Sequence, residues 1–344
     1  MALHLVDRRP EVTATGLLAD LVPPPRFAAV SFGTYQPDPR EPSQHDAPDR
    51  LRGFATELTA PVVTRGIRRR RAPSGPARGV YLDGGFGVGK THLLASLWHQ
   101  VSGPKAYATF VELTHLVGAL GFHPAVEALG SMTLLAIDEF ELDDPGDTVL
   151  VSTLLARLSD RGVALAATSN TWPGALGEGR FAIEDFAREI QGLAGRFTSI
   201  RIDGSDFRQR GLPRALPART DSEVAQAVDI AGNASLDDFE ALTAHLMTLH
   251  PSRYGALVQD LKLVGLTRVR PAPSEATALR LVVLVDRLYD RQIPIATSGA
   301  RSDQLFTPDL LAGGYRKKYL RATSRLLALE RAGRSRSDDS HDRT

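Results

Sequence analysis

Two short runs of this chain carry residue types at spacings that can handle a polyphosphate. The first, Gly84-Gly85-Phe86-Gly87-Val88-Gly89-Lys90-Thr91, fits G-x-x-x-x-G-K-[ST]. Its glycines let backbone N–H groups turn inward around phosphate oxygens. Lys90 then sets a point charge on the terminal phosphates, and the Thr91 hydroxyl suits Mg²⁺. A helix starting at Gly89 would add the positive end of its dipole. The second run, Thr133-Leu134-Leu135-Ala136-Ile137-Asp138-Glu139-Phe140, is apolar and ends in two acids. At such a strand end, Asp138 suits Mg²⁺ through its water shell, and Glu139 suits orienting and deprotonating an attacking water. A third run, Ala164-Leu165-Ala166-Ala167-Thr168-Ser169-Asn170, also ends in polar residues. Ligands of open α/β sheets bind at the carboxyl ends of the strands, so Asn170 is a candidate for positioning that water; a plain turn residue fits its spacing equally well.

A phosphate loop needs a strand before it and a helix after it. Gly79 to Asp83 reads as a buried strand, and His92 to Trp98 as the start of a helix. Strands are expected at 79–83, 106–111, 133–138, 163–168 and 198–202, and helices at 89–101, 112–120, 147–160 and 182–193. That alternation argues for an α/β fold, a P-loop NTPase whose five-stranded parallel sheet is flanked by helices on both faces. Downstream the pattern is less regular. It gives a helix near 235–248, an apolar stretch at 261–266, a strong helix over 276–291, a strand at 293–297 and a last helix near 314–331. The expected organisation is an extended segment with a short helix (1–60), the ATPase-like core (61–210), a C-terminal mixed helical and strand subdomain (211–331) and a disordered tail (332–344). Arg68 to Arg71 form a basic loop that reads as a solvated linker.

Composition removes several classes. With 41 basic against 40 acidic residues the formal charge is +1, so no global field draws the chain to nucleic acid or anionic lipid. Only five basic residues are lysines (Lys90, Lys105, Lys262, Lys317, Lys318), so any one arginine says little about function. The absence of Cys excludes disulfides, Cys-ligated zinc and thiol catalysis. His92, His245 and His250 have no partner at a ligand-like spacing. The first ten residues lack the apolar run of a secretory signal, and no run approaches the roughly 18 apolar residues of a membrane span. A cytoplasmic location is the expectation.

Taken together, the phosphate loop, the Asp-Glu strand end and the Asn strand end resemble the AAA+ class. More narrowly the chain is similar to the ZapE family of cell-division ATPases, related to the lactation-elevated (Afg-type) ATPases. Carrying stretches are Gly79 to Gly85, Asp138-Glu139-Phe140 with Asp144 and Asp147, Arg161 to Asn170, Arg180-Phe181, Leu284 to Asp290, and Ser324-Arg325-Leu326. The likeness covers roughly 20–330, with a poor match over 220–275. It implies ATP and Mg²⁺ as cofactors. It also implies hydrolysis in a homo-oligomer where one subunit's arginine completes the next subunit's site. Arg196, in Gly195-Arg196-Phe197, occupies the usual position for that arginine, and Arg180 matches the family's own Arg-Phe pair. Arg325, with Arg321 as its alternative, is the candidate lid residue for the γ-phosphate. Phe27, Phe32 and Tyr35 are candidates for the adenine pocket. The implied partner is FtsZ or another divisome protein, with quality control as a related role and peripheral membrane association fitting that setting. Two other readings share the core: a DNA-associated loader or initiator, and a nucleotide-gated scaffold with little turnover. Neither a helix-turn-helix nor an aromatic-rich basic patch is present, so no nucleic-acid partner is expected.

Overall fold

The computed structural model describes residues 2–11, 13–59, 79–85, 87–141, 145–172, 192, 194–204 and 215–341. The expected helix at 182–193, the basic loop at 68–71, and the candidates Phe86, Asp144 and Arg180 lie outside the described residues, apart from 192 within the helix range. The chain forms two compact units. One comprises Thr13–Pro23 and Phe27–Arg210; the other comprises Met1–Val12, Pro24–Arg26 and Gly211–Thr344.

The first unit contains α1 (Ala14–Ala19), α2 (Pro42–Thr59), β1 (Gly79–Gly84), α3 (Lys90–Gln100), β2 (Lys105–Thr109), α4 (Phe110–Leu120), α5 (Phe122–Leu129), β3 (Leu134–Asp138), α6 (Pro145–Asp160), β4 (Ala164–Ser169) and β5 (Thr198–Ile202). The strands form one parallel sheet in the order β2-β3-β4-β1-β5. Side chains alternate across a strand, which sorts each one onto two faces. Leu134 and Ala136 of β3, Ala164 and Ala166 of β4, and Tyr107 of β2 pack in one core with Leu93, Leu94 and Leu97 of α3. Leu135, Ile137, Leu165 and Ala167 face the other way, into a core with α4, α5 and α6. Continuing the same alternation brings Asp138 and Thr168 onto the α3 face, which is where the phosphate loop's helix lies.

All five strands appear within two residues of their expected limits, with one difference in kind. The expected strand at 106–111 stops at Thr109, because Thr109 and Glu112 form a capping box and Phe110 opens α4. Thr109 accepts from the Glu112 N–H at 3.2 Å, and the Glu112 carboxylate accepts from the Thr109 N–H at 2.7 Å.

The second unit holds α7 (Asp221–Ala231), β6 (Ala234–Asp238), α8 (Phe239–Thr248), α9 (Tyr254–Leu257), β7 (Leu263–Val269), α10 (Glu275–Asp290), β8 (Ile295–Gly299), α11 (Pro308–Ala312) and α12 (Arg316–His341). Its strands make a second parallel sheet, β6-β7-β8. The expected helix over 235–248 divides here. Residues 234–238 are a strand, and Asp238 caps α8 by accepting from the Glu240 and Ala241 N–H groups, each at 3.0 Å. Both sheet edges are covered by short bridges, from Leu3 to Ser235 on one side and from Arg219 to Ser298 on the other. Such bridges remove unpaired backbone groups that would otherwise recruit another strand.

Two expectations about the chain ends need correction. The first sixty residues are not one segment, because Leu5 is fully buried in the second unit's core while 13–23 and 27–59 belong to the first unit. Asp237 holds this insertion by accepting from the Leu5 N–H at 3.0 Å and the Val6 N–H at 3.2 Å. At the other end, α12 continues to His341 through residues expected to be disordered. At Gly333 a Cβ would lie 2.7 Å from the Ile295 carbonyl oxygen, so glycine lets the helix stay pressed onto β8. Extending an established helix costs little once its nucleus is packed.

Candidate nucleotide-binding site

β1 delivers the chain into the phosphate loop at the carboxyl edge of the first sheet. Gly87 and Gly89 there take φ values of 82° and 86°. At Gly89 a side chain would be strained twice over, since a Cβ would also come within 2.5 Å of the Tyr35 ring. Tyr35 lies over the loop and donates its hydroxyl to the Val88 carbonyl at 2.8 Å. Burial pushes its pKa up to about 12, which keeps that hydroxyl a donor. Of the three aromatics considered for the adenine pocket, Tyr35 is therefore the one tied to the loop. Phe32 is buried in the α3-face core, and Phe27 packs against the same core.

Lys90 opens α3, and its ammonium turns back over the loop. It donates to the Gly84 carbonyl at 2.9 Å, the Gly85 carbonyl at 2.6 Å and Asn170 Oδ1 at 2.9 Å. Asn170, one residue past β4, donates its Nδ2 to Glu141 Oε1 at 3.3 Å. Its amide is thus oriented from both ends.

Asp138 ends β3 and is almost wholly buried. Three hydroxyls surround it. Thr91 donates to Oδ1 at 3.2 Å, Tyr107 donates to Oδ2 at 3.0 Å, and Thr168 also donates to Oδ1. Burial and then the charge of Glu139 raise the Asp138 carboxyl above its ordinary value, while the three hydroxyls act in the opposite direction. Glu139 follows with φ 52°, a left-handed conformation rare for a long side chain. Its N–H donates to Thr168 Oγ1 at 3.1 Å.

These residues fit a magnesium nucleotide. Mg²⁺ keeps several waters and takes one or two protein oxygens plus phosphates, rather than an all-protein cage. The Thr91 hydroxyl beside the Asp138 carboxylate supplies such a pair. Among the described residues no group of three His, Cys, Asp or Glu side chains forms a cage.

Arg196 precedes β5 at the amino edge of the sheet, where its carbonyl lies against Gly79 at the start of β1. The length of β1 separates that edge from the phosphate loop by about 17 Å at strand rise. Among the described residues its side chain makes a long 3.8 Å ion pair with Asp160. Arg325 lies in the second unit, largely buried, and pairs with Asp286 Oδ1 at 2.5 Å; Arg321 pairs with Oδ2 of the same carboxylate at 2.9 Å. Tyr107, Thr168 and Glu141 had no role in the sequence reading. Thr168 was visible as a polar residue near a strand tip, but the contacts of all three depend on strand order.

A model of the AFG1-like ATPase family matches residues 12–231 and 218–336, including the 220–275 stretch where the resemblance looked poor. The chain is similar to the cell division protein ZapE of Escherichia coli K12, at 28% identity over 212 residues, covering 54% of this chain and 56% of that protein. It is also similar to the uncharacterized protein C115.02c of Schizosaccharomyces pombe, at 25% identity over 225 residues, covering 52% of this chain and 50% of that protein. The match thus spans about half the length of these relatives. Among solved structures, domain III of the Thermotoga maritima replication initiation protein DnaA aligns at a TM-score of 0.39 and 18% identity, covering 68% of this chain and 87% of that one. A phosphate loop, a buried acid beside it and a family match running nearly end to end agree: this chain belongs to the AFG1-like ATPase family.

Proposed function

We propose that the chain hydrolyses Mg-ATP at the carboxyl edge of its first sheet and uses that turnover, as a homo-oligomer, to act on a protein of the cell-division machinery, with FtsZ as the leading partner. The observation that carries the ATPase reading is the contact between Thr91 and Asp138 beside the loop closed by Lys90.

In this reading the loop N–H groups and the α3 N-terminus bind the phosphates. Lys90 would exchange its bonds to the Gly84 and Gly85 carbonyls for phosphate oxygens, and Thr91 and Asp138 would hold the metal. Mg²⁺, when bound, neutralises charge developing on the transferring phosphoryl group. Glu139 takes a proton from the attacking water, and Asn170, its amide already oriented, helps place that water. Tyr35 offers an apolar wall to the base. Arg196 stands too far from its own loop, so it serves a neighbouring subunit's nucleotide. The division partner is supported by the likeness to the E. coli cell division protein ZapE.

Phosphate release from ATP by the purified chain tests the reading. Wild type should turn over only with Mg²⁺, Lys90→Ala should lose nucleotide binding, and Glu139→Gln should bind ATP yet hydrolyse it at least about a hundredfold more slowly. No Mg-dependent turnover across a range of protein concentrations, with FtsZ or lipid added, would sink it. For the partner, Glu139→Gln serves as bait with and without ATP. ATP-independent recovery, or none, of FtsZ and other division proteins counts against that part.

A further inference from the structure

Thr168 of β4 makes a hydrogen bond to each of the three consecutive residues that leave β3. Its hydroxyl donates to Asp138 Oδ1 and accepts from the Glu139 N–H at 3.1 Å, and its carbonyl accepts from the Phe140 N–H at 2.7 Å. Beneath it on the same face, Ala164 and Ala166 are small and apolar. The strand turns polar only at the height of Asp138. Thr168 is 2% exposed, so its hydroxyl has no water to serve. Neither of its hydroxyl bonds belongs to the sheet ladder, and a methyl group in place of the hydroxyl would leave the strand pairing unchanged.

The Glu139 backbone gives those bonds their importance. A long side chain at φ 52° is strained and persists only where its surroundings over-determine it. Phe140, fully buried, anchors the turn on one side, and the Thr168 hydroxyl holds the amide on the other. We propose that Thr168 is a positioning residue for ATP hydrolysis: one hydroxyl aims the Asp138 carboxylate and, through the Glu139 N–H, fixes the direction in which the Glu139 carboxylate leaves the strand. The proposal rests on the ATPase reading above and adds a residue to it.

The test compares full-length Thr168→Val and Thr168→Ser with wild type. The readouts are kcat and KM for ATP, affinity for a fluorescent non-hydrolysable ATP analogue with and without Mg²⁺, and thermal unfolding. Thr168→Val should lower kcat at least about tenfold, since misplacement of reacting groups by an ångström is that costly, while Thr168→Ser stays within about threefold. Metal-free affinity, set by Lys90 and the loop, should change less than about twofold, whereas Thr168→Val should lose most of the gain in affinity that Mg²⁺ gives. Wild-type kcat and Mg²⁺ gain in Thr168→Val would overturn the proposal, as would a serine variant as impaired as the valine one. Should Thr168→Val fail to fold, Thr168→Ala replaces it against Thr168→Ser in the same assays. A wild type that binds the analogue but never turns over refutes the ATPase reading, and the Mg²⁺ gain then decides the role of Thr168 on its own.

Discussion

Asp286 carries two arginines, and the balance around it can be measured. Burial works to raise its carboxyl, but the charges of Arg321 and Arg325 outweigh that and hold it below the ordinary carboxylate value. A group with a depressed folded-state pKa stabilises fully above its unfolded value and loses that contribution as pH falls through the folded one. The second unit should therefore weaken as pH drops below about 4. Asp286→Asn should flatten that acid limb and, by leaving two part-buried guanidinium groups without their shared counter-charge, cost about 3–5 kcal/mol near neutrality. Denaturant unfolding at a series of pH values checks both, and an unchanged acid limb in Asp286→Asn refutes the assignment. At this scale the sequence was most informative where a residue type is tied to a local backbone. Lys90, Thr91 and Asp138 could be named because a glycine loop and a strand end are local patterns. Tyr107 could not, since its hydroxyl meets Asp138 only because β2 lies beside β3.

Among the elements, strands buried on both faces were legible as apolar runs, and their limits came within two residues. Those that escaped had weaker local signals. α5 is only eight residues long, and β6 carries two acids and a serine in five positions, which hides its apolar alternation. Asp237 can sit in that strand because the Leu5 and Val6 N–H groups satisfy it. The long α12 shows the opposite failure, since its polar composition masks a packed glycine. Gly333→Leu would drive a side chain into the Ile295 carbonyl, force α12 away from β8 and destabilise the second unit by about 1–3 kcal/mol. Thermal unfolding combined with amide hydrogen exchange should find the loss concentrated in β8 and α12. Unaltered protection there would show that the helix does not depend on this close approach.

In the proposed oligomer, Arg196 would act on the neighbouring subunit's nucleotide rather than on its own. An arginine at the amino edge of a parallel sheet cannot serve a nucleotide at the carboxyl edge of the same sheet. Arg196→Ala should therefore fold and bind ATP normally yet lose at least about tenfold in turnover, with its own catalytic groups intact. Mixed with Glu139→Gln, which supplies the arginine but cannot catalyse, it should show more activity than the two proteins give separately. Mixed activity equal to the simple sum would confine Arg196 to a structural role. The sequence suggests this arginine through resemblance alone, whereas its distance from its own phosphate loop depends on the direction of β5 in the sheet.

The burial of Leu5 beneath the second sheet's neighbours has a consequence for how the protein is made. Residues 2–11 are made before α12, which packs on β8. The second unit therefore cannot close until α12 has been made, although the described strands of the first unit are complete once residue 202 has emerged. Until then a nascent chain would carry a finished nucleotide-binding sheet together with an apolar segment around Leu5 still waiting for its partner, a vulnerable interval that chaperones would have to cover.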